Sequence, residues 1–260
     1  MQSAESSATF RTLARLGYLV NGLLHFLIGY IALRVATGTS SRSADQSGAL
    51  AGLGSAPGGA ALLWIATLGL AALGVWQLVQ SGFIPGSGDK GKLAHRLVDA
   101  GKGVVYFLLA YTAFTFAHGG STSSSASTVD FSASLLKAPG GRFLLIAVGL
   151  VVVVIGIILI AKGATQKFTE DIKMPNGAAG KAVIAVGVAG YVAKGVVLGL
   201  VGVLFVVASV TYNPDKATGL DGALKSLAAL PFGVVILMVT GLGLMAFGIY
   251  SCARAALARL

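Results

Sequence analysis

The stretch Arg15-Leu16-Gly17-Tyr18-Leu19-Val20-Asn21-Gly22 opens a long apolar run, and the chain writes it twice more. The second copy is Arg96-Leu97-Val98-Asp99-Ala100-Gly101-Lys102-Gly103, and the third, looser copy is Val188-Ala189-Gly190-Tyr191-Val192-Ala193-Lys194-Gly195. Each copy sets a polar or charged residue (Asn21, Lys102 or Lys194) directly before a glycine. Self-similarity at a long period is the signature of a repeat architecture. A second series keeps step with the first. Pro57, Pro139 and Pro231 each lead into another apolar run, and Gly74, Gly156 and Gly248 each follow their proline by seventeen positions. The chain reads as a threefold repeat of a two-helix unit.

Composition gives those helices their surroundings. The 260 residues are 55% hydrophobic and 11% charged, with a mean hydropathy of +0.85. A soluble domain carries about 25% charged residues, so most of this surface faces something other than water. Apolar runs of about 20 residues are the length that crosses a hydrocarbon core of about 30 Å. The expected fold is therefore all-α: a polytopic membrane protein of six transmembrane helices, three tandem two-helix repeats in a pseudo-threefold arrangement. The expected spans are 16–37, 59–80, 97–117, 141–161, 182–210 and 233–253. They group into a polar tail at 1–14 and repeats at 15–81, 93–163 and 182–254. Segments 49–56, 132–138 and 222–230, before each proline, read as interfacial helices, and the serine-rich 121–128 stretch as low-complexity linker. The first run is too long for a signal-peptide core and lacks an Ala-x-Ala site, so it is expected to be retained.

The formal charge of +10 is distributed unevenly. Arg11, Arg15, Lys90, Lys92, Arg96, Lys162, Lys167, Lys173, Lys181, Arg254 and Arg259 lie in the tail, the inter-repeat loops and the C-terminus. Arg42, Lys137, Arg142, Lys216 and Lys225 lie in the loops within repeats. Basic residues mark the cytoplasmic side, so both termini are expected in the cytoplasm and the protein in the cell inner (plasma) membrane. The charge then reads as a topology and anionic-lipid signal, with no nucleic acid among the partners. A lone cysteine, Cys252, permits no internal disulfide and reads as a small packing residue.

Taken together, Ala14-Arg15-Leu16-Gly17-Tyr18, Asn21-Gly22, Asp45-Gln46-Ser47-Gly48-Ala49-Leu50, Pro57-Gly58 and the Gly69-Leu70 to Trp76 stretch resemble an actinobacterial family of three-repeat integral membrane proteins, domain of unknown function 1206. Gly190-Tyr191, Lys194-Gly195 and Asp221-Gly222-Ala223-Leu224 carry the resemblance into the third copy. The second copy departs most, with Asp99 where the tyrosine is expected. The resemblance implies six spans and an inner-membrane location, and brings no established activity.

A search for chemistry finds little. Gly86-Ser87-Gly88-Asp89-Lys90-Gly91 satisfies Gly-x-Gly-x-x-Gly, but such loops need a preceding strand and a βαβ unit, and Leu93 stands where a P-loop needs Ser or Thr. His25, His95 and His118 have no metal-ligand spacing. The expectation is a non-enzyme without cofactor or metal. What remains is the polar face of the odd-numbered spans. Tyr18, Asn21 and His25 are spaced i, i+3, i+7 and share one helix face. The corresponding residues are Asp99, Lys102 and Tyr106, then Tyr191, Lys194 and Leu198. Gathered near the cytoplasmic leaflet, this face is the candidate ligand, ion or lipid site. Charged residues within spans mark functional sites by default. Against that stands snorkelling of Lys102, Lys194 and Arg34 to the interface. Gly195 and Gly199 read as close-packing positions. The chain is accordingly expected to be an accessory or scaffold subunit, or a lipid-interacting protein, whose partners are the bilayer, anionic headgroups and another membrane protein. The alternative is a small transporter or channel using the polar cluster.

The charge asymmetry makes a direct test of orientation. In a Cys252→Ser background, single cysteines at positions 3 and 257 are expected to resist a membrane-impermeant thiol reagent applied from outside. Labelling of either in intact cells would reverse the orientation.

Overall fold

The computed structural model describes the backbone of residues 8–83 and 90–258, and their side chains except at 8–11, 13, 14, 76, 79–83 and 90–99. In chain order the helices are α1 (Ala8–Ala36), α2 (Gln46–Gly54), α3 (Gly59–Phe83), α4 (Lys90–Ala117), α5 (Ser124–Lys137), α6 (Gly141–Ala164), α7 (Gly177–Val210), α8 (Gly219–Ala228) and α9 (Gly233–Leu257). Short 3-10 turns lie at Lys167–Asp171 and Pro214–Lys216. Among the described residues five helices are long and apolar enough to cross a membrane: Arg15–Ala36 of α1, Ala100–Ala117 of α4, and all of α6, α7 and α9. Where a sixth span was expected, α3 holds a shorter apolar stretch, Gly59–Val75.

Several boundaries differ from expectation. The 1–14 tail is helical from Ala8, α4 starts at Lys90, and α7 starts at Gly177. The serine-rich linker is helical from Ser124, because Ser123 caps it: its hydroxyl accepts the Ala126 amide at 3.2 Å. The polar cap outweighs the low helix propensity of the serines behind it.

The described chain forms two compact units, one from residues up to Asn21 with Leu50–Thr122, the other from Gly22–Ala49 with Ser123–Arg259. In the first, Leu63, Ala66, Leu70 and Leu73 form the buried stripe of α3 at helical spacing. The α3–α4 seam is close because Gly74 lies under the Phe107 ring and Gly103 faces the Gly74 carbonyl. In the second unit the corresponding glycines do the same work. A Cβ at Gly195 of α7 would lie 2.6 Å from the Gly156 carbonyl oxygen of α6, and one at Gly22 of α1 would lie 2.8 Å from that of Gly248 in α9. Gly202 against Gly149, and Gly29 against Gly241, repeat the contact two turns further on. Thus the second long helix of each repeat meets the first long helix of another through equivalent glycines. Cys252 fills the α1–α9 seam, its Sγ against Gly22. Some hydroxyls on the spans are satisfied within their own helix, as Thr240 donating to the Ile236 carbonyl at 2.8 Å, and Ser209 of α7 reaches across to the Arg142 carbonyl of α6 at 2.8 Å.

The turn into each second helix is also built alike. Gly58, Gly140 and Phe232 have φ of 73°, 74° and 61°. The glycine after each (Gly59, Gly141 or Gly233) is pressed against a carbonyl of the preceding short helix. Of these three turn residues only Phe232 carries a side chain in the left-handed conformation, and that side chain is 84% exposed.

The loops of the second unit are knit by two buried carboxylates. Asp45 accepts the Ser47 hydroxyl at 2.6 Å and the Gly48 amide at 2.9 Å on one oxygen, and the Ser125 hydroxyl at 3.3 Å on the other. Asp221 accepts the Ala44 amide at 2.8 Å and pairs with Lys225 at 2.6 Å. One strand of contacts thereby joins loop residues of all three repeats.

Three variants test the packing. Gly195→Ala has no room and is expected to destabilise by about 1–3 kcal/mol. At Gly199 nothing lies within 4 Å of an added Cβ, so Gly199→Ala is expected to be neutral or stabilising by up to about 1 kcal/mol. Phe232→Gly relieves the left-handed strain and is expected to stabilise by about 1 kcal/mol. Thermal unfolding in detergent reads all three, and equal loss in the two alanine variants would contradict the seam.

Candidate functional site

The aromatic residues of the second unit organise its polar ones. Glycine at 190 lets α9 come so close that a Cβ there would lie 2.5 Å from the Phe247 Cα. Phe247 is thereby seated against α7, and two of the expected site residues meet on its ring. The Lys194 ammonium lies 4.1 Å from the ring centroid, and the His25 imidazole is tilted against it with centroids 4.8 Å apart. Tyr191, one turn before Lys194, meets Phe247 edge-on at 5.4 Å. Three residues of the predicted polar face, from α1 and α7, therefore converge on one ring of α9.

Lys194 does not sit near a helix end, as its expected place in a span beginning at 182 implied. It lies 17 residues after Gly177 and 16 before Val210, the ends of α7. Its neighbours Gly156 and Phe247 precede the ends of α6 and α9 by eight and ten residues. At about 1.5 Å per residue those two residues lie about 12–15 Å from the helix ends. Lys194 is half-buried, and its ammonium is turned onto the buried Phe247 ring. Among the described residues no carboxylate forms an ion pair with it. An exposed cation–π contact gives about 0.5–1 kcal/mol, and a desolvated one about 2 or more. That offsets only part of the cost of a cation at this depth.

Tyr18, Asn21, Lys102 and Tyr106 belong to the first unit, with Lys102 exposed and the other three half-buried. The Asp99 side chain, like that of His95, lies outside the described residues, as does loop 84–89 of the glycine motif. His118 packs with Trp64 and Phe114, at 5.0 and 4.2 Å between centroids. Arg34 turns to its own helix end, donating to the Thr39 carbonyl at 2.7 Å. No group of three His, Cys, Asp or Glu side chains among the described residues could hold a metal ion.

Sequence reasoning missed what lies beneath this cluster, where α6 and α9 end and α7 begins. The loop between α6 and α7 folds back as a strap. Phe168 is fully buried, stacked on Tyr191 at 5.2 Å and edge-on to Tyr250 at 5.1 Å. Glycine at 187 leaves the room for its ring. Tyr250 donates its hydroxyl to the Phe168 carbonyl at 3.2 Å. Ile172 bridges to Ala258, and the Lys173 amide donates to the Leu257 carbonyl at 2.7 Å. Asp171 takes Lys162 of α6 at 2.6 Å and Arg254 of α9 at 3.3 Å on the same oxygen. The loop has no counterpart in the repeat pattern, so comparison of copies does not reveal it. Phe247 left one readable signal. The residue before each seventeen-position glycine is Leu73, Ile155 or Phe247, aromatic in the third copy alone.

Phe168→Ala empties the centre of this aromatic group. It is expected to cost about 3–5 kcal/mol, read as a lower melting temperature in detergent. An unchanged melting temperature would show that the strap is not anchored by its ring.

Comparison with known proteins agrees with the repeats. The family described as Domain of Unknown Function (DUF1206) matches three stretches, 16–83, 100–166 and 189–258. A protein of Bacillus subtilis (strain 168), uncharacterized protein YxxB, is 30% identical over 254 residues, 95% of this chain and 90% of that protein. No solved structure matches the chain. Three matched copies spanning most of the sequence establish that the chain belongs to the DUF1206 family.

Proposed function

We propose that this chain is a non-enzymatic, multi-pass protein of the inner membrane that binds an anionic lipid group at the Lys194–Phe247–His25 cluster, as a lipid-interacting accessory or scaffold subunit. In this reading it has six spans, α3 supplying the sixth, and its three helix pairs close about a pseudo-threefold axis. Both termini lie in the cytoplasm. The equivalent glycine seams support the symmetry, and the uneven basic residues support the orientation.

The observation that carries the binding reading is Lys194, a cation within a span that rests on an aromatic face and has no described carboxylate beside it. A phosphate or carboxylate at this position supplies the counter-charge. Binding in place is favoured over transport by the backbone: α7 runs unbroken past Lys194 and is tightly seamed to α6. Transporter sites are typically formed by discontinuous helices. Transport remains the second reading, favoured by the depth of the same cation.

Lys194→Met tests both. The variant is expected to fold with an unchanged or higher melting temperature, because it removes an incompletely compensated charge, and to retain less acidic phospholipid on purification. Proteoliposomes of the wild type are expected to show no phosphate or chloride flux above protein-free vesicles. Flux that Lys194→Met abolishes would replace the accessory reading with the transport one. Unchanged lipid retention with no flux would retire both.

A further inference from the structure

The strap beneath the Lys194 cluster has the features of a site occupied by its own chain. Two cations from two different spans, Lys162 on α6 and Arg254 on α9, converge on a single oxygen, Asp171 Oδ2. Their nitrogens therefore lie no further apart than the two contact distances laid end to end, a gap that one phosphate group can bridge. The three side chains are between 24% and 31% exposed, so the group opens outward rather than being sealed. The Tyr191 ring lies 5.9 Å from the Lys162 ammonium and, through Phe247, joins this group to Lys194. Its place is the end of two spans, where phospholipid headgroups lie. Basic pockets between transmembrane helices on the cytoplasmic side are a recurrent setting for acidic headgroups.

We propose that Lys162 and Arg254 form a binding site for the phosphate of an acidic phospholipid headgroup, that Asp171 occupies it as an internal substitute, and that the headgroup's arrival releases the strap. The proposal rests on the lipid-binding reading above and adds its point of entry. A phosphate diester carries the same charge as the Asp171 carboxylate and offers more acceptor oxygens, so it can take both cations at once. Release of Asp171 removes the ionic half of what holds the strap, leaving the Phe168 ring and the pairing with residues 257 and 258. Withdrawal of Phe168 from Tyr191 would uncover the path to Lys194. Inorganic phosphate shares the chemistry and is the other source of the ligand.

The full chain in nanodiscs tests this with phosphatidylglycerol, phosphatidylcholine and inorganic phosphate as probes. Wild type is expected to enrich phosphatidylglycerol over phosphatidylcholine among retained lipids. Arg254→Gln and Lys162→Met are expected to lower that enrichment about tenfold, the effect of one charge-assisted contact. Asp171→Asn is expected to raise it, because the internal competitor is gone. If Asp171 served only the fold, Asp171→Asn would leave the ratio unchanged or lower it as Arg254→Gln does, and either result overturns the proposal. A second measurement needs no Asp171 variant. Thr169→Cys in a Cys252→Ser background is expected to react faster with a thiol reagent in phosphatidylglycerol than in phosphatidylcholine. Equal rates overturn the release step. Acceleration in phosphatidylcholine by inorganic phosphate assigns the site to the soluble anion. Acceleration by phosphatidylglycerol alone assigns it to the headgroup. Failure here remains distinct from failure of the Lys194 reading, since Lys194→Met tests that residue while leaving the strap intact.

Discussion

Backbone meeting backbone without a Cβ between is the contact on which this structure depends. Lipid is as apolar as leucine, so helices in a bilayer gain nothing by hiding apolar side chains from it. What holds them is dispersion between closely fitted surfaces and whatever polar contacts close approach allows. Gly195 against Gly156, and Gly22 against Gly248, bring axes together where any larger residue would hold them apart. The polar features follow from that spacing. Gly190 brings Phe247 to α7, which places an aromatic face under Lys194, and Gly187 admits the Phe168 ring of the strap. Glycine thus sets the geometry, and the aromatic and charged residues occupy what it leaves.

The charged groups divide by depth. At the end of the spans, where water and headgroups reach, Lys162, Asp171 and Arg254 form an open ionic group. Deeper, Lys194 has a ring and a neighbouring imidazole. Stacked and edge-on rings of Phe168, Tyr191, Tyr250 and Phe247 fill the distance between. Aromatic rings suit this role because they are apolar enough for the bilayer and still present a negative face to a cation. A purely aliphatic filling would leave the inner lysine with no favourable surface.

Much of the architecture is legible in the sequence because repetition amplifies weak signals. A single proline followed by glycine says little, but three at the same distance from a later glycine define a turn and a seam together. Phe232 keeps the left-handed backbone that Gly58 and Gly140 adopt in the sister copies. The site was half legible. Tyr191, Lys194 and His25 stood out by spacing, and they do meet. The start of α7 is not legible, because it lies in a small-residue stretch, Gly177 to Gly180, with little apolar character to mark it. Gly199 was grouped with Gly195, yet only one of the two points its Cα hydrogen into a neighbour. Sequence shows that two glycines are present but not which way each faces. The strap was invisible, since Lys162 with Asp171 and Arg254 is a long-range arrangement in a loop that the repeat does not copy. The buried Asp45 and Asp221 were noticed as markers of resemblance, but their role in tying loops together depends on partners far away in the chain.

The seam between α1 and α9 joins the first long helix to the last. During synthesis α1 is made before α9, and the surface bearing Gly22 and Gly29 stays without this partner until α9 has been made. The strap waits as well, because Ile172 and Lys173 pair with residues at 257 and 258. Assembly of this unit therefore waits on the synthesis of α9 and the residues that follow it to 258. A chain made only as far as α8 lacks both the glycine seam and the pairing that fastens the strap, so neither can hold this unit before α9 is in place.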